Sequence, residues 1–553
     1  MNRRNFIHVT GASLASLAFL NWNSPTAAQL IQLPEKVSVL LDDGMHDLVS
    51  TTKESWTYQD ISVQLKYHHD SLQVFVYSPS KAISNVALHW KISTPPGSKL
   101  TGDHWERTYG DVFFDEASFT KKLPWYFIQQ HGNNTNCFGV KTGCSTMCYW
   151  QVGDDKMKLT LDTRSGGTGV SLSQRMLHAA DIVATKNNSN ENTFVTARRF
   201  CDLMCSTPRL PKKPVYGIND WYVTYGKNSA DIILAHTALM TDYMSNAANR
   251  PFSVIDSGWA AYSPLLPGDC CWQDDYTRAN DNFKDMSTLA TKINKLGMRP
   301  GLWTRPLCAS HKDPTHVLLP DLPNRKDPKK PVLDPTIEEN LARVKNIIET
   351  HKQWGYELVK HDFTTHDILG KWGFEMDDDI TTPQWRFYDN SRTTAEVILQ
   401  LYKTIREGAG DMYLIGCNTI SHLSAGIFEL NRIGDDVSGR EWDRTAKMGP
   451  NTLGFRMVQH KKFYSCDGDC VGLTTKIPWE KNKQWMALLA ESGTPLFVSA
   501  QKEAIGAEQK TALKRSFDLA SKELPVAEPL DWLINARPAK WRLNGKIRTF
   551  DWS

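Results

Sequence analysis

From Pro214 onward the chain repeats one rhythm, a short apolar run followed by a longer stretch with helical spacing. Strand then helix, many times over, requires a parallel sheet, because each crossover must carry the chain back across the sheet before the next strand begins. Eight apolar runs qualify as strands. The first four are Val215–Trp221, Ser253–Ser257, Arg299–Trp303 and Leu358–Asp362; the others are Met412–Cys417, Leu430–Gly434, Phe463–Asp467 and Pro495–Ser499. Helical patterns fall between them, for example at Asn282–Leu296, Ile337–Trp354 and Thr393–Glu407. Eight such units over residues 215–525 fit a (β/α)8 TIM barrel, a fold that commonly needs about 250 residues or more. The connection between the fifth and sixth runs is the shortest and the least barrel-like.

The first part of the chain has a different period. Ile61–Tyr67 and Val86–Ile92 alternate apolar and polar residues, Leu72–Tyr77 is rich in β-formers, and Pro95-Pro96-Gly97 and Gly166-Gly167 punctuate the segment. Short alternating runs with turn signals predict an antiparallel β-sandwich over 29–207. Residues 208–214 run from Pro208 to Pro214 around Lys212-Lys213 and form a stiff, polar linker. At 553 residues a chain of several domains is expected. Residues 1–28 resemble an export signal: Arg3-Arg4 precede a mild apolar run and then Pro25-Thr26-Ala27-Ala28, a pattern similar to a twin-arginine signal peptide. Export implies a periplasmic or secreted protein, in which eleven cysteines are able to form a few disulfides or remain isolated buried thiols. The C-x3-C pairs Cys201/Cys205 and Cys466/Cys470 lack the further Cys or His pair that a zinc site needs. A net charge of +3 gives no basic surface for nucleic acid or an anionic membrane.

Polar and aromatic residues collect where the barrel strands end: Trp221, Asp256, Trp303, Lys360, Asp362, Arg432 and Asp436. That rim carries the active site in TIM-barrel enzymes. With 19 Trp, 17 Tyr and 21 Phe, the chain has ring faces to lay against sugars, although a large core uses the same residues as filling. Period-2 alternation points Lys360 and Asp362 to the same side, so an ammonium is expected beside the Asp362 carboxylate, keeping it ionised. A structural salt-bridge cluster would look the same. In Arg432–Trp442 both Asp435 and Asp436 compete for an acid/base role, with Glu441 more remote, and either Asp fits equally well as the N-cap of a following helix. A neighbouring carboxylate, or burial under a bound sugar, is expected to raise the pKa of the acid.

In order along the chain, Val254–Trp259, Gly301–Trp303, Val359–Phe363, Arg432–Val437 and Ser465–Cys470 resemble the motifs of the α-galactosidase clan of glycoside hydrolases, most of all family 36, with family 27 as a relative. Gly102–Arg107 and Leu123–Phe127 resemble the N-terminal β domain of family 36. The resemblance implies a retaining exo-α-glycosidase with Asp362 as nucleophile and Asp436 as acid/base. It also implies Asp256, Ser257, Lys360, Cys417, Asn418 and Arg432 as sugar contacts and Trp221 and Trp303 as pocket walls. It implies no metal or organic cofactor, and as partner an oligosaccharide or polysaccharide with a terminal α-linked sugar. Two departures stand out. Galactose-specific members pair two acids in the second-strand motif where this chain has Asp256-Ser257, so another sugar, such as an N-acetylgalactosaminide or a pentopyranoside, is an alternative to galactose. The C-terminal β domain is expected to be absent or reduced to a remnant over 526–553. A non-catalytic glycan binder on the same scaffold is the alternative outside enzymes.

Overall fold

The computed structural model describes residues 30–244, 247–262, 273–310, 312–322, 331–377 and 379–553. The expected signal segment, Cys270 and Cys271 lie outside the described residues.

Two antiparallel sheets stack in the N-terminal part. A six-stranded sheet runs in the order Leu123–Pro124, Met147–Val152, Lys156–Asp162, Asn85–Lys91, Lys36–Leu41, Gly44–Asp47. A nine-stranded sheet is centred on Ser71–Tyr77, Leu177–Lys186 and Asn134–Val140. The alternation in Ile61–His68 is visible in space: Ile61, Val63 and Leu65 are fully buried between the sheets. Apolar-in, polar-out alternation of this kind is what lets one face of an antiparallel sheet meet a second sheet.

The second part is the barrel. Its parallel strands are Tyr216–Asn219, Phe252–Ile255, Arg299–Thr304, Leu358–His361, Tyr413–Gly416, Leu430–Arg432, Ser465–Asp467 and Leu496–Ala500, each paired with the next up to the seventh. The expected runs hold their places, and the seventh is interrupted. Ser465–Asp467 pairs with the sixth strand, whereas Cys470–Leu473 pairs with the eighth, which in turn pairs with the first. Between the two pieces Asp469 adopts φ +72°. One strand position is therefore shared by two segments, and the ring of strands is joined through that kink.

Helices Met286–Lys295 and Glu338–Gln353 fall within the expected stretches, and Thr394–Ala409 runs two residues past its own. The last begins with a capping box: the Glu396 amide donates to Thr393 Oγ1 at 3.1 Å and the Thr393 amide donates to Glu396 Oε2 at 2.9 Å. The fifth-to-sixth connection holds only the single turn Ser421–Ser424 as a helix. A three-stranded antiparallel sheet, Glu528–Pro529, Lys540–Leu543 and Lys546–Thr549, follows the barrel. The nine described cysteines are buried. Much of the tryptophan serves the core, since Trp125, Trp150, Trp259, Trp303, Trp485 and Trp541 are almost wholly buried.

Candidate active site

A small pocket opens at the C-terminal rim of the barrel. Of the ten residues expected at the site, nine line it: Trp221, Asp256, Ser257, Trp303, Lys360, Asp362, Cys417, Arg432 and Asp436. Asn418 does not. It sits beneath the rim, where its side chain donates to Glu106 Oε2 and accepts from the His366 amide at 3.1 Å. Three further residues complete the wall: Arg107, Phe363 and Trp372.

Asp362 stands one residue beyond the fourth strand. Lys360 and Asp362 line the pocket, while His361 between them packs outward against Phe428 and Tyr402, as a pleated strand requires. The carboxylate is held on both oxygens. Oδ1 accepts from the Phe363 amide at 2.8 Å and Oδ2 from Trp303 Nε1 at 3.2 Å. The first of these bonds goes with a left-handed backbone at Phe363, φ +64°, which a bulky residue rarely adopts without support. Support comes from Arg305, whose guanidinium lies 4.3 Å over the Phe363 ring and grips Asp367 through Nε at 3.0 and 3.2 Å.

The Lys360 ammonium does not pair with Asp362, contrary to the expectation from strand periodicity. It binds Asp256 Oδ2 at 2.7 Å, because the second strand brings that carboxylate to the same side of the barrel. Burial alone would lower the Lys360 pKa, but Asp256, followed by Cys417 and Asp469, together outweigh it and hold the ammonium well above its ordinary range. Asp256 also accepts from Asn219 Nδ2 at 2.8 Å, and its amide donates to Asp220 Oδ1 at 2.7 Å. Burial, and then the nearby Asp256 charge, push the Asp220 carboxyl up to about 6.

Across the pocket, Arg432 bonds Asp436 Oδ1 at 2.9 Å and Asp469 Oδ2 at 2.6 Å. Its other terminal nitrogen lies 3.6 Å from Cys417 Sγ. Burial, followed by the Asp362 charge, pushes the Cys417 thiol well up, so it faces the pocket as a neutral thiol. Asp435 and Asp436 part company here. Asp435 is tied between Arg107 at 2.9 Å and Arg444 at 2.7 Å and does not line the pocket. Neither is the helix cap that the sequence also allowed, since Glu441 takes that position for Trp442–Arg456. The groups around Asp436 in the protein lower its pKa. Burial does push it up, but Arg432 and Arg107, the latter 3.8 Å away, override this and hold it at about 2.

Arg107 and its neighbours come from the sandwich. A parallel bridge joins Thr108 to Gly434, with the Thr108 amide donating to Ile433 O and the Asp435 amide to Thr108 O, both at 2.9 Å. Behind it the buried pair Arg456–Asp103 closes at 2.7 Å. Gly102–Arg107 was visible in the sequence as a motif, but nothing local to it says that its last residue reaches the barrel.

No family model and no curated protein matches the chain. Solved structures do. The α-galactosidase TtGalA from Thermus thermophilus, solved with p-nitrophenyl α-D-galactopyranoside, is 16% identical with a TM-score of 0.59, over 93% of this chain and 98% of its own. The GH36 α-galactosidase AgaA of Geobacillus stearothermophilus, as a variant with 1-deoxygalactonojirimycin, is 10% identical with a TM-score of 0.61, over 92% of this chain and 79% of its own. The galactosidase domain of the α-galactosidase–sucrose kinase AgaSK is 13% identical with a TM-score of 0.57, over 90% and 75%. At these identities the likeness is one of fold: the chain has the sandwich-and-barrel architecture of the GH36 α-galactosidases.

Proposed function

We propose that this protein is a retaining exo-α-glycosidase acting on a terminal α-linked galactose or a galactose-like sugar. The observation that carries the reading is that Asp362 and Asp436, from the ends of the fourth strand and beyond the sixth, face one small pocket. Asp256, Lys360 and Arg432 supply charged hydrogen-bonding groups for sugar hydroxyls there, and Trp221 and Trp303 supply ring walls. The GH36 structures with galactosides and an inhibitor bound support the same sugar class.

In this mechanism Asp362 attacks the anomeric carbon as the glycosidic C–O bond breaks, and the leaving oxygen takes a proton from Asp436. Water then gives a proton to the Asp436 carboxylate and its oxygen to the anomeric carbon, releasing Asp362 and restoring the starting configuration. Trp303 Nε1 and the Phe363 amide keep Asp362 aimed. Arg432 and Arg107 hold the Asp436 carboxyl low, so its proton is loaded when a bound glycoside strips water from the carboxyl. Ser257, uncharged beside Asp256, favours a second reading of the sugar: an N-acetylgalactosaminide or a pentopyranoside in place of galactose.

The test is a panel of aryl α-glycosides with wild type, Asp362→Ala and Asp436→Ala, with NMR on the first-formed anomer. One sugar is turned over with retention, and each variant loses at least about 10²-fold. No turnover of any sugar returns the protein to glycan binding. Full activity in Asp362→Ala removes the nucleophile, and an inverted first product removes the double displacement.

A further inference from the structure

Asp220 follows the first barrel strand at the head of the short helix Trp221–Thr224, yet its carboxylate makes no capping bond to that helix. It is 2% exposed and reaches across to the segment after the second strand, where Oδ1 accepts from the Asp256 amide at 2.7 Å. Oδ2 accepts from Thr224 Oγ1 at 2.8 Å and from Asn228 Nδ2 at 2.9 Å. Asn228 is buried as well and carries the link one residue further, because the same Nδ2 donates to Ser257 O at 3.0 Å. The turn then closes on Asn228. Gly258 has φ +117°, and a Cβ there would come within 2.5 Å of Asn228 Oδ1, a backbone and a contact that admit only glycine.

Asp256 and Ser257 line the pocket, and Asp220 and Asn228 stand behind them. Asp256 is therefore fixed at both ends. Asp220 takes its amide, while Asn219 Nδ2 at 2.8 Å and Lys360 Nζ at 2.7 Å take its carboxylate. A hydrogen bond to a sugar hydroxyl weakens steeply with distance and angle, so a carboxylate held in advance binds better than one that must be ordered by the ligand. We propose that Asp220 is a positioning residue for sugar recognition, which touches no sugar itself and aims Asp256 through its backbone amide. The inference rests on the proposed glycosidase reading and adds what sets the reach of the second-strand turn toward the sugar hydroxyls. Asp362 and Asp436 are held by other groups, namely Trp303 and the Phe363 amide for the first and Arg432 for the second, so the effect falls on binding.

The experiment measures KM and kcat for the best aryl α-glycoside in wild type, Asp220→Ala, Asp220→Asn, Asp256→Asn, and Asp220→Ala combined with Asp256→Asn. In Asp220→Ala, KM rises about five- to tenfold while kcat stays within about threefold. Asp220→Asn keeps an oxygen for the Asp256 amide and recovers most of the loss. In the combined variant, Asp220→Ala adds less than about twofold to the effect of Asp256→Asn, because little is left for it to aim. A KM within about twofold of wild type in Asp220→Ala, or effects that multiply in full in the combined variant, overturns the role and leaves the glycosidase reading standing. If Asp220→Ala does not fold, Asn228→Ala decides: a KM raised about threefold supports the role, and an unchanged KM overturns it. If wild type turns over no glycoside, the glycosidase reading fails, and calorimetric titration with 1-deoxygalactonojirimycin decides the positioning. Weaker binding by Asp220→Ala supports it; equal binding, or none by wild type, overturns it.

Discussion

Asp436 meets two guanidinium groups before it meets any substrate, and they set its charge. A carboxyl that must donate a proton is held at about 2 by Arg432 and Arg107, against the opposing effect of burial. Removing one cation raises that pKa, so the protonated form survives to higher pH. In Arg107→Gln the alkaline limb of the kcat/KM profile, which reports the free enzyme's acid, is expected to move up by about one pH unit. An unmoved limb would show that Arg107 does not govern the proton. Arg107 was legible only as the end of a motif. Its partners Asp435 and Asp436 lie far along the chain, and no local pattern encodes a Coulomb contact over such a separation. Lys360 teaches the same from the other side: periodicity correctly turned it inward, but the second strand decided which carboxylate it joined.

At the scale of elements, the turn after the fourth strand does the aiming. Arg305 and Asp367 are almost fully buried, paired to each other and packed under Phe363, whose amide grips Asp362. Replacing Arg305 with Ala leaves the Asp367 charge buried without its arginine, at a cost of about 3–5 kcal/mol, and releases the backbone that orients the nucleophile. Urea unfolding and kcat are both expected to fall. The reciprocal swap, Arg305→Asp with Asp367→Arg, is expected to regain part of both. A loss of less than about 1 kcal/mol with unchanged kcat would mean the pair positions nothing. The split seventh strand belongs to this scale as well. Its Cys466–Cys470 motif was readable, but a break in pairing depends on which neighbour each half meets. In the fold, the kink brings Asp469 Oδ2 to Arg432 at 2.6 Å and to the Val437 amide at 2.9 Å.

For the molecule as a whole, the site is an assembly of sandwich and barrel. Arg107 lines the pocket, Glu106 holds Asn418 and Gly373, Asp103 pairs with Arg456, and Trp125 stacks on His422 with centroids 4.7 Å apart. A fragment carrying residues 208–553 lacks all four sandwich groups. It is expected to expose apolar surface that binds a hydrophobic dye and to lose activity by at least about tenfold, whereas the intact chain unfolds in one transition. Wild-type kcat/KM in the fragment would overturn this dependence. The strand–helix rhythm, the antiparallel alternation, and the presence of Asp362 and Asp436 at strand ends are written in short stretches, since periodicity and turn chemistry act over a few residues. The tertiary structure alone decided that Lys360 serves Asp256, that Arg432 and Arg107 hold the Asp436 carboxyl low, and that the sandwich supplies a wall. Pairing and ionisation depend on charges and burial within a few ångströms, among residues that only folding brings together.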